Sequence, residues 1–163
     1  MKKLTIIRHG TAQPRDPANI PDVERKLEER GRKDALRVGK FYAGMAPDLI
    51  VSSPAVRAME TAELFAEGAG NSNSIQEDDL IYHDSMSGSV NELLAVIRKQ
   101  EGDHIVIVGH NPQISQLVTL LDGIDDRSIA ENLYLVTAAS AHIVFEDLDK
   151  WQDLLPDSGQ LRG

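Results

Sequence analysis

Three short apolar runs in this chain each stop at a polar junction, and that repetition limits the folds open to it. Leu4-Thr5-Ile6-Ile7 runs into Arg8-His9-Gly10. Asp48-Leu49-Ile50-Val51-Ser52 runs into Ser53-Pro54, with Arg57 just beyond. His104-Ile105-Val106-Ile107-Val108 runs into Gly109-His110-Asn111-Pro112. Such runs, rich in β-branched side chains, suit strands buried on both faces, as in a parallel sheet. Parallel strands have their carboxyl ends on one edge of the sheet. In open α/β sheets that edge is where ligands bind.

The intervening segments read as helices and loops. Leu36, Val38, Phe41, Tyr42 and Met45 fall at roughly helical spacing, predicting a helix from about Glu29 to a C-cap at Gly44. Ser53 as N-cap and Pro54 at the first helical position predict a second helix to Glu67, with Val56, Met59, Leu64 and Phe65 inward. Gly68 to Ser74 reads as a turn-rich loop, and Ile75 to Ile81 as a polar strand near an edge. Ser89 or Val90 opens a helix to about Gln100, carrying Leu93, Leu94, Val96 and Ile97 inward. Asn111 as cap and Pro112 at the start predict a helix to Leu121. Leu133–Thr137 and Ala141–Glu146 read as two strands of a hairpin, and the tail from Leu148 offers Trp151 and little else to bury. Alternating strands and helices predict a three-layer α/β/α sandwich with a mostly parallel sheet, which the last hairpin makes mixed. The 163 residues read as one domain, 1–163.

Composition excludes several function classes. There is no cysteine, so disulfides, thiolate nucleophiles and Cys-ligated zinc are ruled out. The formal net charge of −9 argues against nucleic acid as the main partner. A local arginine cluster on an acidic chain can still take a small anion. Only four apolar residues separate Met1-Lys2-Lys3 from Arg8, too few for a secretory h-region, and no run approaches a membrane span. No membrane partner and a cytoplasmic location are the resulting expectations.

If the three strands are parallel, Arg8, His9, Arg57 and His110 gather beside two helix N-termini, which favour anions. A phosphoryl group is the natural guest of that set. Arginine forks match phosphate oxygens. Neutralising those oxygens is most of what phosphoryl transfer requires. A neutral imidazole, with its other nitrogen donating to a carbonyl, can attack phosphorus and form a phosphohistidine that water then hydrolyses. No metal is needed where arginines carry the charge, and no cofactor is expected.

These residues resemble the histidine phosphatase superfamily, the phosphoglycerate mutase-like fold. Three motifs carry the resemblance: Arg8-His9-Gly10; Ser52 to Ala62, reading Ser-Ser-Pro-Ala-Val-Arg-Ala-Met-Glu-Thr-Ala; and Gly109-His110. Arg25-x-Leu27-x-x-x-Gly31, Gly-His-Asn-Pro and the lack of large insertions are similar to the small SixA-type branch. The resemblance implies a phosphatase with His9 as nucleophile and Arg8, Arg57 and His110 around the phosphate. It also implies a phosphohistidine-bearing protein as substrate. A small-molecule phosphomonoesterase or mutase of the same superfamily, or an inactive phospho-binding regulatory module, are the alternatives. Gly10, Thr11 and His83 are further candidates for substrate contact. Larger members place an acidic proton donor after the third strand, where this chain offers His83 and Asp84.

Other polar residues read as structural. His104 is read as structural or solvent-facing and His142 as surface. Arg25 sits in a charged run that needs no function, and Asp147-x-Asp149 is a solvated pair. Thr11 to Asp22, with Pro14, Pro17 and Pro21, is a loop that shapes access to the site.

Overall fold

The chain forms β1 (Lys2–Arg8), α1 (Glu29–Phe41), β2 (Leu49–Ser52), α2 (Val56–Ala69), β3 (Ile75–Glu77), α3 (Val90–Arg98), β4 (His104–Gly109), α4 (Gln113–Asp122), β5 (Ser140–Phe145) and β6 (Gln160–Leu161). These come from a computed structural model, which describes residues 1–82, 89–123 and 133–163. The strands pair in the order β3-β2-β4-β1-β5-β6. β1, β2, β3 and β4 are mutually parallel, with Arg8 opposite Gly109 and Ser52 opposite Val108. β5 runs antiparallel to β1, and β6 antiparallel to β5. This is the mixed α/β sandwich expected from the sequence.

Alternation along the central strands sends side chains to two cores. Leu4, Ile6, Val51, Ile105 and Ile107 meet α3, α4 and the segment around Trp151. Ile7, Ile50, Val106 and Val108 meet α2 and Tyr42. Every residue of β4 is buried, as a strand at the centre of a doubly covered sheet must be.

Several local expectations are corrected. α1 ends at Phe41 with Tyr42 as C-cap, three residues short of Gly44. Its buried residues are Gly31, Ala35 and Gly39, while Phe41 and Met45 are exposed. The reason is close helix packing. A Cβ on Gly39 would lie 2.2 Å from the Phe65 carbonyl oxygen, and one on Gly68 would lie 2.4 Å from that of Leu36. Gly68 therefore belongs to α2, which ends at Ala69 with Gly70 in the left-handed conformation. α2 begins at Val56, not Pro54, and buries Ala58, Ala62 and Phe65, whereas Val56, Met59 and Leu64 are only half-buried. Small residues set this contact, so large ones were poor guides to it.

β3 stops at Glu77, and Asp79–Ile81 form a 3-10 turn. α4 starts one residue after Pro112, because Asn111 does not cap it. The Asn111 amide donates to the Leu135 carbonyl and its Oδ1 accepts from Ser115 Oγ. Leu133 to Thr137 forms no strand. Its backbone is taken by side chains, with the Leu135 carbonyl accepting from Arg8 and its amide donating to Ser115 Oγ. The tail buries Leu148 and Leu154 besides Trp151, and supplies β6.

His104 and His142 are both buried, against the surface reading of His142. Their Nε2 and Nδ1 atoms each lie 2.9 Å from the Thr5 hydroxyl. His104 Nδ1 faces the Met45 carbonyl and donates to it, so His104 Nε2 accepts from Thr5 and His142 Nδ1 donates to Thr5. An accepting Nε2 requires the His104 ring to be neutral.

The α1–α2 contact can be tested directly. Gly39→Ala should lower the urea-unfolding free energy by about 1–3 kcal/mol through overpacking. That loss outweighs the intrinsic helix preference for alanine, about 1 kcal/mol. An unchanged or raised midpoint would contradict the packing described.

Candidate active site

The parallel register brings the ends of β1, β2 and β4 to one edge, and the side chains just past those ends meet there. His9 and His110 stand with ring centroids 5.1 Å apart. Arg57, the second residue of α2, brings Nη2 to 3.4 Å from His110 Nδ1. Its position places a cation at the positive end of the helix, where its own amides also favour an anion. Arg8 ends β1, and its guanidinium donates to the Leu135 carbonyl at 3.1 Å and lies over the Tyr134 ring.

The backbone around His9 is held closely. A Cβ on Gly10 would lie 2.7 Å from the Gly31 carbonyl oxygen, so this turn and the start of α1 need glycine at close approach. The Gly10 amide donates to Thr61 Oγ1, and Thr61 donates to the Arg57 carbonyl. The Gly10 carbonyl accepts from His9 Nδ1 at 2.7 Å. A carbonyl only accepts, so the proton is on Nδ1 and the Nε2 lone pair is left for chemistry. Burial lowers the His9 pKa to about 4, and the positive charges of Arg57, Arg8 and Arg25 push the same way, against the Gly10 bond. At neutral pH the ring is uncharged.

The second histidine is wired differently. Arg57 can only donate, so His110 Nδ1 accepts from it and Nε2 donates to Ser53 Oγ at 2.7 Å. Ser53 Oγ also accepts from the Ala55 amide. Ser53 thus serves His110 as well as the turn into α2, a contact that its reading as N-cap did not include.

Two donors at this edge are buried with no hydrogen-bond partner among the described residues: Arg8 Nε and Arg57 Nε. An orphaned buried donor costs about 1–3 kcal/mol, more when charged. A bound oxyanion is the kind of acceptor that each of them lacks. Among the described residues no group of three or more His, Asp or Glu side chains is placed to hold a metal ion.

Gly10 sits beside His9, but its amide is already given to Thr61. The Thr11 hydroxyl meets Thr137 Oγ1 at 3.2 Å. His83 and Asp84 lie outside the described residues. Two residues that sequence reasoning passed over, Asp22 and Tyr82, belong to the neighbourhood. Asp22, from the Pro-rich loop, accepts from Arg57 Nη2 at 3.1 Å, from Arg25 Nε at 2.9 Å and from the Tyr82 hydroxyl at 3.0 Å. Arg25 is buried, so the charged-run reading is corrected. The signal available was the short spacing Asp22-x-x-Arg25 beside a predicted site loop, which alone does not distinguish a surface ion pair from a buried one.

The sequence profile of the histidine phosphatase superfamily, branch 1, matches residues 4–84. The chain belongs to the histidine phosphatase superfamily. No curated protein matches the sequence. Among solved structures it is similar to SixA from Agrobacterium tumefaciens, a candidate phosphohistidine phosphatase. That pair shares 26% identity over 87% of this chain and 90% of the other, with a TM-score of 0.75. It is similar in fold to the protein histidine phosphatase SixA complexed with tungstate, at 18% identity over 99% and 94% of the two chains, TM-score 0.73. It is also similar in fold to a mycobacterial glucosyl-3-phosphoglycerate phosphatase, at 17% identity over 98% and 96%, TM-score 0.70. No helix among the described residues is long and apolar enough to cross a membrane.

Neutral buried histidines make stability depend on pH. The pKa values of His9, His104 and His142 are all lowered, mainly by burial. The unfolded chain therefore binds more protons than the folded one below about pH 6.5, and stability rises with pH there. The contribution is complete above pH 6.5 and is lost as pH falls towards 4. His9 alone accounts for on the order of 3 kcal/mol of that loss once pH has passed below its folded value. Urea titrations at pH 7, 5.5 and 4.5 should show falling stability, with a shallower fall in His9→Asn. Equal slopes for the two proteins would contradict the assignment.

Proposed function

We propose that this member of the superfamily is a phosphatase that works through a phosphohistidine on His9, without a metal ion, and that its substrate is phosphohistidine on a protein. The carrying observation is the neutral His9 ring, with its proton held on Nδ1 by the Gly10 carbonyl, standing beside two guanidiniums with unpartnered Nε donors.

In the first step His9 Nε2 attacks phosphorus. An N–P bond forms to His9 and the substrate's N–P bond breaks, the substrate ring, already protonated on its other nitrogen, departing as neutral imidazole. Arg8 and Arg57 take the charge on the phosphoryl oxygens, which is the main electrostatic demand of the transfer. In the second step water attacks, a P–O bond forms, the His9–phosphorus bond breaks and phosphate leaves with His9 neutral again. His110 stands close to both Arg57 and His9 and lines the pocket with them.

The leaving group supports a phosphohistidine substrate. A phosphohistidine protonated on its other ring nitrogen releases neutral imidazole, whose conjugate acid has a pKa near ~6.5, so its departure needs little help from a proton donor on the enzyme. A serine or sugar alkoxide needs that help. Among the described site residues Asp22 is the carboxyl group at hand, and its neighbours Arg57, Tyr82 and Arg25 lower its pKa to about 2 despite burial. It stays ionised and donates no proton. The second reading is a small phosphomonoester, favoured by the equally extensive fold match to a glucosyl-3-phosphoglycerate phosphatase.

The test is to incubate the protein with a radiolabelled phosphoryl donor in the presence of chelator and quench with alkali. An acid-labile, alkali-stable label is expected on wild type and absent from His9→Ala. Arg57→Ala should lower kcat/KM by about a hundredfold or more, as loss of an oxyanion donor does. Activity retained by His9→Ala, or abolished by chelator, would sink the mechanism. Faster turnover of sugar phosphates than of a phosphohistidine protein would favour the second reading.

A further inference from the structure

Arg57 is 4% exposed, and almost all of its hydrogen bonding goes to one residue. Its Nη1 donates to the Asp22 carbonyl at 2.8 Å, and its Nη2 to Asp22 Oδ2 at 3.1 Å. The outer fork of the guanidinium is therefore filled by Asp22. What remains is the side edge, where Nη2 also meets His110 and Nε has no partner among the described residues. Asp22 is itself held in place: its Oδ1 accepts from Arg25 Nε and its Oδ2 from the Tyr82 hydroxyl. The exposed Arg15 makes no hydrogen bond to it, its Nε standing 3.8 Å from Oδ1. Arg25 in turn donates from Nη1 to the Gln13 carbonyl at 2.7 Å. The 3-10 turn Asp22–Glu24 thus ties the loop after β1 to the first turn of α2.

A carboxylate here is a puzzle if the site exists to hold an anion. Placed near a phosphoryl group, it subtracts from the attraction. We propose that Asp22 is a positioning residue: it grips the outer fork of Arg57 so that the side edge, with Nε, is aimed at the phosphoryl oxygens. This rests on the phosphatase reading and adds to it. Arginine has several rotatable bonds, and an unpinned guanidinium presents its fork in many directions. A buried cation with an empty pocket also needs a counter-charge, which Asp22 supplies without entering the side edge. Reduced electrostatic attraction is the cost of that orientation, and a misplacement of about 1 Å can cost a hundredfold in rate.

The two effects of removing Asp22 have opposite signs, which makes the proposal testable. Charge alone predicts that Asp22→Ala binds orthovanadate more tightly. Positioning predicts weaker binding. We expect the orthovanadate dissociation constant, measured by calorimetry at fixed ionic strength, to rise about tenfold or more in Asp22→Ala. Asp22→Asn keeps an acceptor for Nη2 and the backbone carbonyl for Nη1, and should lose less. It carries the test if the alanine variant does not fold. Arg15→Ala, which removes only the exposed outer partner, should bind as wild type does. Binding by Asp22→Ala as tight as wild type or tighter overturns the proposal. So does an equal loss in Arg15→Ala, which would make general order of the loop the cause. If wild type binds no orthovanadate, the phosphatase reading fails instead. The Arg57 Nε–H resonance then decides the positioning role: a sharp signal in wild type that broadens in Asp22→Asn supports it, and no difference refutes it.

Discussion

Parallel pairing of β4 with β1 on one side and β2 on the other is the constraint on which the site depends. It places Arg8 level with Gly109 and Ser52 level with Val108. The next residues of each chain segment, His9, His110 and Ser53, must then emerge on the same edge. Antiparallel pairing of any one of these strands would send its polar end to the other side of the molecule. Neither arginine nor histidine is a favourable residue to bury. The sheet makes them meet because the four apolar residues Ile105 to Val108 at the centre of β4, every one buried, give the register no freedom.

Once the cations meet, the site must hold them without its ligand. Burial lowers the His9 pKa, and three arginines push it the same way. Asp22 answers part of that charge, and the Leu135 carbonyl takes one donor of Arg8. The Nε donors of Arg8 and Arg57 are left unanswered. Buried unsatisfied donors are destabilising, and they persist where a ligand is to complete them. His9 shows the same logic in another form. Its neutral state costs stability below pH 6.5, yet only that state carries a lone pair for attack.

Much of this was legible in the sequence because it rests on local chemistry. Apolar runs ending in Arg8-His9-Gly10 and Gly109-His110 announce buried strands with polar tips. Ser89 caps α3 as its side chain suggests. What escaped was set by contacts between distant segments. Gly39 and Gly68 look like helix breakers, but they let α1 and α2 approach closely. Leu133 to Thr137 has the composition of a strand, yet its backbone is claimed by Arg8, Asn111 and Ser115. His142 alternates like a surface residue and is covered through Thr5 and Tyr42. Asp22 sits among prolines with nothing nearby in sequence to show that Arg57, 35 residues on, is its partner.

The chain's net charge of −9 sets the remaining problem. At long range an acidic protein repels a phosphorylated partner, and salt screens that repulsion beyond about 8–10 Å. Attraction must therefore come from the last few ångströms, where Arg8 and Arg57 point into low-dielectric surroundings and each contact is strong. A pocket that works only at short range must be well formed before the ligand arrives, since no long-range field draws the anion in to order it. That requirement explains why so many bonds around the site are spent on fixing the cations and His9: Gly10 on His9, Ser53 on His110, Thr61 on the Gly10 amide, Asp22 on Arg57. Beside these fixed groups, Tyr134 and Val136 are exposed on either side of Leu135, whose carbonyl anchors Arg8.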